Sequence, residues 1–288
     1  MHPLADASER ASAGWLPAVG VVALVLLSLS SYAAPAGKAA NDKAGTAEGL
    51  YQQIGTDRSF KSLVDDGTIP VGKSSSRGVT GSRIVVNKAA VERGPNATTP
   101  IPKDIRIHTL CNSSVRRKSF PKWTRWYQED GHTQVFRLFQ GETNVHNSRP
   151  LAARIEAVSA LKWQLGDWHE WTGTYTIVKP HPCAIFQAFN DHNEWAVAIN
   201  LTADGSIILN HRRHQKDQVI AKEMTGKSFD LRVRDNGRDY EVYLNGEKAG
   251  AGYYDRPAGH TSFRWGMYDG EHKQQHDAMI CVTGAKFR

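Results

Sequence analysis

From about residue 102 to the end, the sequence is a succession of short runs in which apolar and polar residues alternate, each closed by turn residues. Residues 194–201 (Glu-Trp-Ala-Val-Ala-Ile-Asn-Leu) and 206–211 flank Asp204-Gly205, and residues 229–234 and 240–244 flank Asn236-Gly237, with Asn245-Gly246 ending the second unit. Asx-Gly pairs between alternating runs mark tight hairpins, because the favoured turns need positive φ at their central residues. Further runs of strand character cover 133–140, 153–160, 171–178, 184–190, 261–268 and 279–287. Helical periodicity is nearly absent here. Such a chain must bury one face of each strand against a second sheet, so the segment reads as an antiparallel all-β domain, either a two-sheet sandwich or a jelly roll.

With 288 residues, the chain accommodates one domain of about 200 residues with a real core, plus extensions. Residues 35–101 are rich in Ala, Gly, Lys, Ser and Asp and read as a mobile, low-complexity linker with room for a short helix over 47–64. Residues 1–34 hold an apolar run from Trp15 to Leu27, followed by Ser31-Tyr32-Ala33-Ala34. This reads as a secretory signal peptide with a small-residue cleavage site, because the run is shorter than the roughly 20 residues a membrane span needs. Asp6 and Glu9 outweigh Arg10 ahead of it, so an uncleaved anchor is the alternative. The expected location is extracellular or periplasmic, with no other membrane association and a monomeric state.

A formal charge of +7 favours an anionic partner, and eight Trp with nine Tyr lean towards sugar, since aromatic faces stack on pyranose rings. No Lys/Arg-rich helix or recognition motif points to nucleic acid. Three cysteines, Cys111, Cys183 and Cys281, in an exported chain allow one disulfide with one thiol left over, the pairing being unreadable. His272 and His276 have a His-x-x-x-His spacing, but in a polar loop rather than a helix, so no metal is expected there. Residues 67–74 match the phosphate-loop pattern letter for letter, yet neither a strand before nor a helix after supports it. Asn96, Asn112 and Asn200 head N-glycosylation patterns.

Three segments place polar side chains on single strand faces. Residues two apart share a face, so Arg154 lies with Glu156, and Arg264 with Gly266 and Tyr268, while Gln187 sits within Phe186-Gln187-Ala188-Phe189. Two arginines, a glutamine and a tyrosine converging on one sheet suit the binding and deprotonation of an acidic sugar.

The order Val135-Phe136-Arg137, Gly141-Glu142-Thr143, Asn147-Ser148-Arg149-Pro150, Arg154-Ile155-Glu156, Phe186-Gln187, Val242-Tyr243-Leu244-Asn245-Gly246 and Phe263-Arg264-Trp265-Gly266-Met267-Tyr268 resembles that of jelly-roll polysaccharide lyases, the alginate and glucuronan lyases in particular, over roughly residues 103–288. The last motif looks like the Phe-Lys-x-Gly-x-Tyr strand of those enzymes. The resemblance implies a concanavalin A-like jelly roll and β-elimination at a uronic acid without a cofactor. Arg154 and Gln187 then stabilise the charge that accumulates on the carboxylate, and Tyr268 serves as acid, or as acid and base. Arg264, Glu156, Asn190 and Arg149 are the implied binding residues. Two positions depart from the family pattern. Phe189 stands where the lyases carry His, and Arg264 replaces Lys and stays protonated. The base is thus either Tyr268 itself or a histidine of another strand, with His211 and His169 as candidates. A non-catalytic, lectin-like module on the same sandwich is the competing reading, favoured by Phe189. A glycoside hydrolase needs two carboxylates flanking the bond, and no Glu-x-Asp-x-x-Glu strand is present.

Overall fold

The computed structural model describes residues 49–146, 152–212, 216–270 and 272–288. The first part holds β1 (Tyr51–Ile54), α1 (Phe60–Asp65), β2 (Arg83–Val86) and α2 (Lys88–Val91). There follow β3 (Ile105–Thr109), β4 (Asn112–Arg116), a 3-10 turn (Arg117–Lys122), β5 (Tyr127–Asp130), β6 (Thr133–Leu138), β7 (Arg154–Ser159), β8 (His169–Lys179), β9 (Cys183–Asn190) and β10 (Trp195–Leu201). The chain finishes with β11 (Ile207–His211), β12 (Gln218–Ala221), β13 (Ser228–Asp235), β14 (Asp239–Leu244), β15 (Glu247–Tyr253), β16 (Thr261–Tyr268) and β17 (Ala278–Phe287).

Two antiparallel sheets face each other, as the alternating pattern requires. The front sheet runs β12-β11-β10-β9-β16-β7-β3-β4 and the back sheet β15-β14-β13-β8-β17-β6-β5. Neighbours are far apart in sequence, β16 lying between β9 and β7, which is jelly-roll topology rather than a meander. The hairpins β10–β11, β13–β14 and β14–β15 turn at the three Asx-Gly pairs, with Asn245 at φ 50° and Gly246 at 87°.

Between the sheets, alternate residues interdigitate. Phe263, Trp265 and Met267 of β16 are fully buried, and Trp265 sits 5.8 Å from Trp171 of the back sheet while donating its indole N–H to Gln134 Oε1 at 2.8 Å. Trp171 also packs on Phe186 at 5.0 Å. Each such side chain contributes about 2–3 kcal/mol of burial. Because the inward face of β16 is saturated with aromatics, its other face must point out of the sandwich.

The linker expectation for 35–101 is corrected where the residues are described. Residues 49–101 pack on the sandwich: Leu50, Ile84, Val86 and Val91 cover Val135, Val178, Met279 and Cys281 in a second core on the outer face of the back sheet, while Leu63 and Ile69 join the main core. Four-residue strands such as β1 and β2 bury enough only when paired with each other and docked on a sheet, so neither stands out locally. The expected helix over 47–64 is instead β1 followed by α1, capped by Ser59 accepting the Ser62 N–H at 3.2 Å. The docking is fastened by a buried ion pair between Arg137 of β6 and Asp57, 3.0 Å apart. The phosphate-loop match at 67–74 is a turn leading away from α1, with Gly72 N–H donating to Val145 O. The signal-peptide segment lies outside the described residues.

The disulfide expectation is also corrected: all three cysteines are free and buried. Cys111 and Cys183 belong to the core between the sheets, whereas Cys281 faces the second core on the other side of the back sheet.

Candidate active site

The outward face of β16 carries Arg264, Gly266 and Tyr268, and the register hands each a neighbour. Across β7, Tyr268 opposes Arg154, Gly266 opposes Glu156 and Arg264 opposes Val158. Across β9, Arg264 opposes Gln187 and Ser262 opposes Phe189. Between Trp265 and Tyr268 the β9 pairing slips by one residue, a bulge that re-aims the end of the strand. Gly266 permits it: its φ is 126°, and a Cβ there would stand 2.3 Å from Ile155 O.

A cleft of about 500 Å³ lies over this face, and Arg154, Glu156, Gln187, Arg264 and Tyr268 all line it. Of the remaining sequence candidates, Arg149 lies outside the described residues. Asn190 does not reach the cleft: its Oδ1 accepts the backbone N–H groups of His192 and Glu194 at 3.0 and 3.1 Å, and its Nδ2 donates to Pro257 O, so it shapes the β9–β10 turn. His211 is likewise corrected. Strand parity puts it beside Leu209 on the inward face, 7% exposed, with Nδ1 2.5 Å from the Tyr240 hydroxyl of the back sheet. His169 is on β8 of the back sheet, its ring 5.0 Å from Trp163.

The cleft also takes residues that the strand pattern did not single out. Asn144, Asn193, Trp195 and Arg212 line it. Trp195 opposes Phe189 in the β9–β10 register, and the Arg212 guanidinium lies between Trp195 and Tyr254, 5.3 and 5.4 Å from their rings, while pairing with Glu194. The Arg212 signal was present in the basic run at 211–214, but a basic strand end is usually just solvated. Asn144 is delivered by a loop anchored at Glu142, whose buried carboxylate takes hydrogen bonds from Arg125 Nε, Trp126 Nε1 and the Phe139 N–H. Burial raises the Glu142 pKa, with Arg125 pulling against it.

Electrostatically the floor is a balanced cluster. Glu156 is 3% exposed, and burial raises its pKa while Arg264 and Arg154 hold it down. Burial lowers the Arg264 pKa, opposed by Glu156. The Arg264 guanidinium is stacked on Phe189, 3.7 Å from the ring centroid. Phe189 thus supplies no proton but fixes the plane of the cation next to Gln187. Opposite Glu156 on β3 sits His108, whose imidazole is held neutral, its pKa depressed to about 3 by burial and then by Arg154, Arg264 and Arg106. Among the described residues no His/Cys/Asp/Glu group is arranged to hold a metal ion.

Fold and site together define a jelly-roll sandwich with a cationic, amide- and phenol-bearing cleft on one sheet. Solved structures similar in fold include alginate lyases. The chain is similar to an alginate lyase from a Corynebacterium species (12% identity over 67% of this chain and 97% of that one, TM-score 0.55) and to the family-7 alginate lyase A1-II′ (14% identity, 64% and 92%, TM-score 0.51). It is also similar to a variant of A1-II′ in complex with product (11% identity, 64% and 93%, TM-score 0.51). No protein-family model matches the sequence, and no curated protein matches it. The likeness is one of fold, and it is the fold that the sequence motifs resemble.

Proposed function

We propose that this protein is a polysaccharide lyase that cleaves a uronic-acid-containing polysaccharide, of the alginate or glucuronan type, by β-elimination. The observation that carries the reading is that Arg154, Gln187, Arg264 and Tyr268, drawn from three strands, line one cleft. A uronate carboxylate seated between Arg154 and Gln187 shares its charge with a cation and an amide donor. Both bind more strongly as the enediolate-like intermediate accumulates negative charge. Glu156 beneath them tempers the arginines, so the floor is not a bare cationic trap. The Tyr268 hydroxyl, next to Arg154 in the register, delivers a proton to the departing 4-linked oxygen. Export through the 1–34 segment fits a polymer that does not enter cells.

The test is to incubate the full chain with a panel of polyuronates and follow the near-ultraviolet absorbance of the unsaturated product. Absorbance should grow with one polymer and slow as salt is added, because the attraction is partly screened charge. Retention of a polyuronate with no absorbance on any member of the panel would favour the binding-module reading, whose specific support is Phe189 stacked on Arg264 where the lyase pattern has a histidine. Absence of both would overturn the proposal.

A further inference from the structure

The lyase reading leaves open which group takes the proton from C5, and the inference below rests on that reading. The two histidines proposed from sequence are turned away from the cleft, and Phe189 carries no proton. Of the cleft-lining residues only Glu156 and Tyr268 exchange protons readily, and Glu156 is buried and committed to balancing two arginines. One further proton acceptor lies on the same face of the sheet. His108 of β3 is the register partner of Glu156, one strand beyond Arg154. The side-chain Nδ1 of His108 is buried without a hydrogen-bond partner, and neither ring nitrogen makes a hydrogen bond among the described residues. Arg154 leans in the same direction, its Nε 3.5 Å from Thr109 O on β3. A carboxylate held by Arg154 therefore lies between Tyr268 on one side and His108 on the other.

We propose that His108 is the general base of the elimination and Tyr268 the general acid. The His108 Nε2 lone pair takes the C5 proton, and the C–H electron pair becomes the C4–C5 double bond. The C4–O bond breaks, and the departing oxygen receives the Tyr268 hydroxyl proton. Imidazolium and phenolate then return to their starting states by exchanging a proton through solvent. The groups facing His108 explain why the base is ready before substrate arrives and strengthens afterwards. Arg106 on its own strand, Arg154 and Glu156 on β7 and Arg264 on β16 surround it, while Ser114 on β4 is occupied by Arg106 at 3.1 Å. In the free protein burial, and after it the three cations, keep the imidazole unprotonated. A bound uronate neutralises Arg154 and Arg264, which raises the basicity of the ring when a proton must be accepted.

The experiment compares wild type, His108→Gln and His146→Gln on the polymer that gives absorbance. His146 sits on the loop beyond Asn144 with Nδ1 3.1 Å from Leu110 O and serves as a control. Expected is a loss of about 10²–10⁴ in kcat for His108→Gln with KM changed only a few fold, loss of the acid limb of its pH profile, and near-wild-type rates for His146→Gln. A His108→Gln enzyme within about threefold of wild type, or a large loss confined to His146→Gln, overturns the assignment while leaving the lyase reading intact. Wild type without product on every polyuronate overturns both. Should His108→Gln fail to fold, imidazole nitrogen NMR on Tyr268→Phe with an oligouronate gives the answer: the His108 pKa rises by more than about one unit on binding, and an unchanged value overturns the proposal.

Discussion

At the scale of single residues, the chemistry rests on side chains whose neighbours decide what they can do. Tyr268 is the one phenol lining the cleft among the described residues, so Tyr268→Phe is expected to cost about 10²–10⁴ in rate while leaving polymer binding and the unfolding midpoint near wild type. Rate assays beside affinity electrophoresis check this, and a variant retaining most of its activity would remove Tyr268 from the proton transfers. Arg154, Gln187, Arg264 and Tyr268 were legible in the sequence because period-two alternation fixes which face a residue takes once its strand is known. His211 was misread for the same kind of reason. The count from Asn210 to His211 flips the face, and only the position of Tyr240 on the opposite sheet shows which side is the core. His108 gave no signal at all, since a histidine in Ile-Arg-Ile-His-Thr looks like any half-exposed strand residue until Glu156 and three arginines surround it.

At the scale of elements, β16 concentrates the site. Its inward aromatics lock it into the sandwich, and its unbroken register with β7 sets Tyr268 opposite Arg154 while the ladder to β9 slips past Gly266. Gly266→Ala should therefore destabilise the protein by about 2 kcal/mol or more, because a Cβ at φ 126° meets the Ile155 carbonyl at 2.3 Å and neither backbone can yield without breaking the β16–β7 ladder. Urea unfolding measures the stability. Product formation should fall further than stability does, as Glu156 and Tyr268 are both displaced, and an unchanged midpoint would show that the two strands separate easily. The span of β16 was readable from sequence to the residue, and the β10–β11 and β13–β14 hairpins with their Asx-Gly turns to within a residue at each end. Strands β1 to β5, β12 and β15 were not: the first six are runs of four or five residues with too little alternation to outweigh their loop-like composition, and the Ala/Gly-rich β15 has no alternation to read.

At the scale of the whole molecule, residues 49–101 are docked on the sandwich rather than serving as a tether. Their fastening is the Asp57–Arg137 pair, both side chains less than a tenth exposed. Asp57→Ala leaves Arg137 buried without its countercharge and should cost about 3–5 kcal/mol, whereas the double change Asp57→Ala with Arg137→Met should recover much of it. Chemical denaturation of the two variants checks the ordering; equal losses would mean that the pair contributes little. Because β1, β2 and α2 cover the outer face of the back sheet and the cleft opens on the front sheet, kcat below the unfolding transition should be unaffected. The sequence by itself determined the all-β class, the hairpins and the outward face of each site strand, because those follow from alternation and turn chemistry within a dozen residues. Only the tertiary structure decided that β16 lies between β9 and β7, that residues 49–101 dock, that the cysteines stay apart and that His108 stands opposite Glu156. Each of these depends on which elements distant in sequence meet in space, and pairing between segments far apart in the chain leaves no trace in local periodicity.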